Sequence, residues 1–376
     1  MSAFRLRETL RRTTDALAEV VRLTRVRLKP DTTYKVVEEG VQMNPRFVSR
    51  LIVLALVVPA AVAVSAQNPT GRQGSSPYAA SRTPWGDPDL QGVWSYNDDV
   101  NTPFERPGEL AGKVEVGDEE LAALLEERAK RNVERAPTIG GETGAGPVHW
   151  YEFWDAQSAR TSRVIDPKDG RVPPLTPAAQ KRVAARAEAN RGRGPSDSWE
   201  DRSLGDRCIV SRGGWPHVVV NPGSYGNLVQ ILQSPGYVVI VHEMIHNTRV
   251  IPVDGRPHIG KDIRQYVGDP RGHWEGNTLV VEVTNFSDKT DFRGSRETLR
   301  LIERFTRVAA DTIAYEVTID DPATFTRPWT LGVPLKSDPG QTQIFEYACH
   351  EGNYAMRNIL SGARADERAA VAGRNK

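Results

Sequence analysis

From residue 217 onward, apolar and polar positions alternate in short runs rich in β-branched residues, and turn residues separate the runs. The runs cover 217–220, 228–232, 237–251, 278–284, 299–308, 312–319, 324–333 and 343–348. Ser234-Pro235-Gly236 interrupts the pattern after the second run, Asp254-Gly255 after the third, and Ala309-Ala310-Asp311 forms a tight hairpin connection. A period of two sends alternate side chains to opposite faces of a pleated ribbon, so each run reads as a strand. Residues 149–154 and 160–165 also read as extended, and Asp166-Pro167-Lys168-Asp169-Gly170 follows as a turn. Two helices are predicted before residue 208. Asp118 caps one over 118–131, with Leu121, Leu124 and Leu125 on one face. Thr176 caps the other, Pro177 opens it, and it ends near Gly192. No helical period lies between successive strands, which disfavours βαβ units. The expected fold is mainly β: an antiparallel meander, curled into a barrel or folded into a sandwich, with two peripheral helices.

The N-terminal third changes this picture. Arg46 and Arg50 precede an apolar stretch over 51–64, and Val64-Ser65-Ala66 supplies small residues before Gln67. That is the form of a cleavable export signal over 43–66. The apolar stretch is shorter than the roughly 20 residues that a spanning helix needs, so no stable membrane span is expected after cleavage. Residues 1–42 are Arg-rich and precede the signal; they read as a start placed upstream of Met43, or as a cytoplasmic extension of an anchored chain. Residues 67–84 are a polar leader rich in Ser, Gly and Pro, expected to be disordered. A single β-rich domain with helical insertions is expected over 85–362, then a frayed tail over 363–376. The expected location is periplasmic or secreted.

Charge excludes one class of partner. Lys and Arg total 49 against 48 Asp and Glu, a formal net charge of +1. Such a chain has no general attraction for nucleic acid, and none is expected as a partner. The only cysteines are Cys208 and Cys349. An exported chain permits a disulfide between them, and two buried free thiols are the alternative.

Several segments occur together: TPWGDPDLQGVW, RVPPLTPAAQKR, RGHWEGNTLVVEVTNF, ERFTRVAADT and FEYACHEGNY. In these the chain resembles a family of exported bacterial proteins. The resemblance covers nearly all of the mature chain, implies export and a β-rich fold, and brings no reaction with it. Separately, Leu90-Gln91-Gly92-Val93-Trp94 is similar to the G-x-W opening of lipocalins, in which the Trp closes the base of the barrel. With the meander, this makes a lipocalin-like barrel the specific expectation.

Three clusters carry candidate chemistry. The first is His242-Glu243-Met244-Ile245-His246. On a helix, His242 and His246 would share a face as Zn ligands and Glu243 would be a general base. The surrounding sequence is that of a strand, where His242, Met244 and His246 share one face and Glu243 points away. No cofactor is predicted; Zn enters only as a possible ion on His242 and His246. The second cluster runs over 256–275 and is read as a loop punctuated by Gly and Pro. It gathers His258, Asp262, Arg264, Asp269, Arg271, His273, Trp274 and Glu275, and a His beside carboxylates is the make-up of an acid–base site. His273, Glu275 and His246 are the candidate catalytic residues. His242, Met244, His258, Arg264, Arg271 and Trp274 are candidates for ligand binding. The third cluster is 349–354, where His350 and Glu351 are candidates for a pocket mouth. These readings converge on an exported protein that binds, or acts on, a small and largely apolar molecule. The alternative is a metal-dependent hydrolase built on His242 and His246.

Overall fold

The structure, a computed structural model, describes residues 78–141, 158–211, 215–216, 223 and 225–374, all within the unit Arg72–Lys376. The expected export signal over 43–66, the residues before it, the expected leader up to residue 77, and the expected strands at 149–154 and 217–220 lie outside the described residues.

Ten strands form a mainly antiparallel sheet. They are β1 (Gly92–Ser95), β2 (Val164–Asp166), β3 (Leu228–Ser234), β4 (Tyr237–His242), β5 (Thr248–Pro252), β6 (Asp269–Glu275), β7 (Thr278–Thr284), β8 (Arg300–Ala309), β9 (Thr312–Asp320) and β10 (Trp329–Lys336). The ladder order is β5-β4-β3-β1-β10-β9-β8-β7-β6, and β2 pairs with β10 off that path. Short turns build the two meanders. Ser234 pairs with Tyr237 across Pro235-Gly236, Glu275 with Thr278 across Gly276-Asn277, and Ala309 with Thr312 across Ala310-Asp311. β1 pairs with both β3 and β10, and so joins the meanders.

The alternation sets the core. Leu301 and Phe305 of β8, Ile313, Tyr315, Val317 and Ile319 of β9, and Leu331, Val333 and Leu335 of β10 are all buried on one face. Trp94 is buried in the same core; its Nε1 donates to the Leu90 carbonyl at 3.0 Å, and the Arg307 guanidinium lies over its ring. The ladder is not closed, for β5 and β6 remain its two ends. These ends nevertheless pack together. A Cβ added at Gly272 of β6 would lie 2.9 Å from Val253 Cγ1 and 3.0 Å from Ile251 Cγ2.

Three helices accompany the sheet: α1 (Asp118–Gly141), α2 (Pro177–Ala189) and α3 (Ala355–Arg374). The Thr176 hydroxyl caps α2 by accepting from the Ala179 N–H at 3.1 Å. No helix among the described residues is long and apolar enough to cross a membrane.

The mainly β, antiparallel expectation holds, and several local readings change. The run over 237–251 is not one strand but the hairpin β4–β5, because the His242 N–H donates to the Asn247 carbonyl and Ile245 and His246 take positive φ. Residues 269–275, read as loop, form the edge strand β6; Pro270 is tolerated there because an edge leaves one side of the ladder unpaired. Residues 343–348 are not a strand. Residues 363–374 of the tail belong to α3, as their Ala content favours. β10 begins at Trp329 rather than 324 because Asp321 organises a turn, its carbonyl accepting from the N–H groups of Thr324 and Phe325.

Candidate functional site

The chain enters α2 through an irregular segment, residues 172–175. Residues 172–175 run beside 323–326: Leu175 bridges Phe325, and the Thr326 N–H donates to the Pro174 carbonyl at 3.0 Å. Pro173 and Pro174 have no N–H, so this stretch can offer apolar surface without leaving donors unsatisfied. Between these segments lies a cleft of about 450 Å³, lined by Val172, Pro173, Pro174, Leu175 and Phe325, with Glu105 and Arg293 beside them. That volume falls within the roughly 300–1,000 Å³ of small-molecule sites.

The polar groups of the cleft are fixed. Glu105 accepts from the Val172 N–H at 2.8 Å and from Arg293 at 3.2 Å. The Arg293 guanidinium also lies over the Phe104 ring, 4.8 Å from its centroid. An aromatic cluster backs the apolar wall. Phe325 meets Trp329 edge-on at 5.5 Å, and Trp329 contacts Phe292 and Phe104 in turn. Trp215 packs on both Phe104 and Phe292. One residue lining the cleft, Phe325, is thus in direct contact with a tryptophan.

The sequence-derived residues fall into separate groups. His242 ends β4 with its side chain buried, 5% exposed, on the same face as Val238 and Ile240. Glu243 and Met244 are also buried in the turn that follows. His246 is exposed and its Nδ1 lies 2.9 Å from the Tyr347 carbonyl. The helix that would align His242 with His246 does not form, and the turn separates the two in burial. Among the described residues, no group of three or more His, Cys, Asp or Glu gathers at metal-holding distance.

The 256–275 cluster divides in two. Buried Asp269 accepts from His258 Nδ1 at 2.8 Å, from the Ile259 N–H at 3.1 Å and from Arg271 at 2.7 Å. This pins the 257–259 loop to the start of β6. Further along the same face, His273 Nε2 lies 3.2 Å from Glu275, which also accepts from Arg304 at 2.8 Å. Arg304, and then His273, hold the Glu275 carboxyl below its ordinary value. His273 and Glu275 are well exposed, at 59% and 48%, on the outer surface of the sheet. Trp274 points to the opposite face and packs against the core. Arg264 donates to the Glu297 carbonyl.

A disulfide joins Cys208 and Cys349. It secures the C-terminal segment, whose Tyr347 stacks on Tyr225 and receives His246. His350 and Glu351 lie exposed in the turn after Cys349.

Two groupings escaped the sequence reading. One is the Glu105–Arg293 pair at the cleft. The other is inside the sheet, where Arg249 pairs with Glu303, and the Tyr315 hydroxyl donates to the same carboxylate at 2.9 Å. Arg249 shares its face with Ile251, and Glu303 sits between Leu301 and Phe305, so the period-two pattern carried a signal for both.

Comparison with protein-family models, with curated proteins and with solved structures finds no match to this chain.

Proposed function

We propose that this chain is an exported small-molecule-binding protein, and that a small, largely apolar molecule occupies the cleft between residues 172–175 and Phe325. The observation that carries this reading is the composition of the cleft. One wall is four consecutive residues, Val172 to Leu175, with no charge, and the floor is the Phe325 ring. A single charged pair, Glu105 with Arg293, stands at its side. Apolar walls supply the affinity of such sites, and a few fixed polar groups orient the ligand. The Cys208–Cys349 disulfide and the signal-like segment over 43–66 support export, because disulfides persist in oxidising compartments.

The test is a titration of the purified chain with neutral naphthylamine and anionic anilinonaphthalene dyes, following both dye emission and tryptophan quenching. Saturable binding with quenching is expected, and Val172→Asp should weaken it at least tenfold by placing a carboxylate in the apolar wall. No saturable binding of either dye, or equal binding by the Val172→Asp chain, would overturn the reading.

A further inference from the structure

The end of α2 remote from the apolar cleft forms a second cleft of about 410 Å³ with opposite chemistry. Five cationic side chains line it: Arg186 from α2, Arg202 and Arg207 from the segment after it, and Lys289 and Arg296 from the loop before β8. Two carboxylates, Glu200 and Asp291, line the cleft with them, and Asp206 pairs with Arg202 beside it. We propose that this cleft binds a small multivalent oxyanion, of phosphoryl or polycarboxylate type.

Carboxylates pair with Arg186, Arg202 and Arg296, and among the described residues they leave Arg207 and Lys289 without a carboxylate partner. Asp291 is shared, 3.3 Å from Arg186 and 2.7 Å from Arg296. Arg202 pairs with Asp206 at 3.0 Å, yet its Nε is buried with no hydrogen-bond partner among the described residues. Arg207 lies over the Trp199 ring, 4.7 Å from its centroid. Among the described residues, neither Arg207 nor Lys289 forms an ion pair with a carboxylate.

The negative pole of α2 favours a cation in its last turn, which accounts for Arg186. Arg207, Lys289 and Arg296 come from other segments and owe nothing to that pole. Burial, and then the neighbouring Arg296, push the Arg186 guanidinium below its ordinary range, while Asp291, Glu297 and Asp288 draw it back. Guanidinium forks match the planar oxygens of phosphoryl and carboxylate groups, and several converging forks favour an anion with more than one charge.

Calorimetric titration of the purified chain at low ionic strength, with inorganic pyrophosphate and separately with citrate, tests the proposal. Saturable one-to-one binding of at least one probe is expected, and the tighter of the two assigns the phosphoryl or polycarboxylate class. Lys289→Gln and Arg207→Gln should each weaken that binding about tenfold. The thermal melt of Lys289→Gln should match the parent chain, since Lys289 holds no ion pair among the described residues, whereas Arg207→Gln also gives up its contact over the Trp199 ring and should melt slightly lower. The proposal fails if neither probe gives saturable heat, or if both variants bind with unchanged affinity.

Discussion

Arg249 of β5 and Glu303 of β8 meet in a fully buried ion pair, although five strands separate them along the ladder. Arg249 Nη1 donates to Glu303 Oε1 at 3.1 Å, and Nη2 donates to Oε2. Strands that far apart in a flat sheet could not touch. The pair therefore reports how far the sheet curls, and it stands inside the curl beside Tyr315.

A buried pair of this kind makes an asymmetric prediction. Arg249→Met strands the Glu303 carboxylate in the core and should cost about 3–5 kcal/mol. Arg249→Met combined with Glu303→Leu should recover most of that loss, because two apolar groups need no partner. The pair is already imperfect, since Arg249 Nε is buried without a partner among the described residues. Urea unfolding of the single and double variants measures both. Equal stability of the single variant and the parent would refute the role assigned to the pair.

Gly272 tests the seam between the two ends of the ladder. Gly272→Ala adds a Cβ 2.9 Å from Val253 Cγ1 and 3.0 Å from Ile251 Cγ2. The overpacking should cost about 1–3 kcal/mol. Val253→Ala, introduced with it, should return part of that stability by clearing the closer contact. Thermal melts of the two variants check the coupling.

Acid stability should carry the mark of the surface pairs. Arg304 and His273 lower Glu275, and Arg300 lowers Glu282, both from 4.5. Arg256 draws Asp254 from 3.8 to about 2. A carboxylate whose folded value is depressed stabilises the fold above its unfolded value, and that contribution disappears as pH falls through the folded value. Stability should thus be level above pH 4.5 in these contributions and decline from there toward about 2. Added salt should flatten the decline, since these groups are solvent-facing. Melting temperature against pH at two salt concentrations provides the check.

The sheet was legible in the sequence because its strands alternate with period two and end at Pro-Gly, Gly-Asn or Ala-Asp turns. β6 was not, because its Gly, Pro and charged residues are those of a loop; only its position at the end of the ladder makes them acceptable in a strand. The turn at 243–247 was hidden for the opposite reason, since β-branched residues on both sides disguised it as a continuous strand. The clefts at the two ends of α2 depend on contacts between segments more than 100 positions apart, such as Glu105 with Arg293 and Arg186 with Asp291, and local periodicity carries no record of these. The Arg249–Glu303 pair lies between: each residue breaks an apolar face visibly, but nothing local says that they meet.

The Cys208–Cys349 bridge spans 141 positions, and every strand from β3 to β10 lies between its two ends. Most of the sheet is thus enclosed in one covalent ring. A protease that nicks a connecting turn inside this ring yields a chain with two extra termini but no separate fragment. The pieces part only when the fold opens and a reductant cuts the ring a second time, so in an oxidising medium a clipped molecule would keep its strands together.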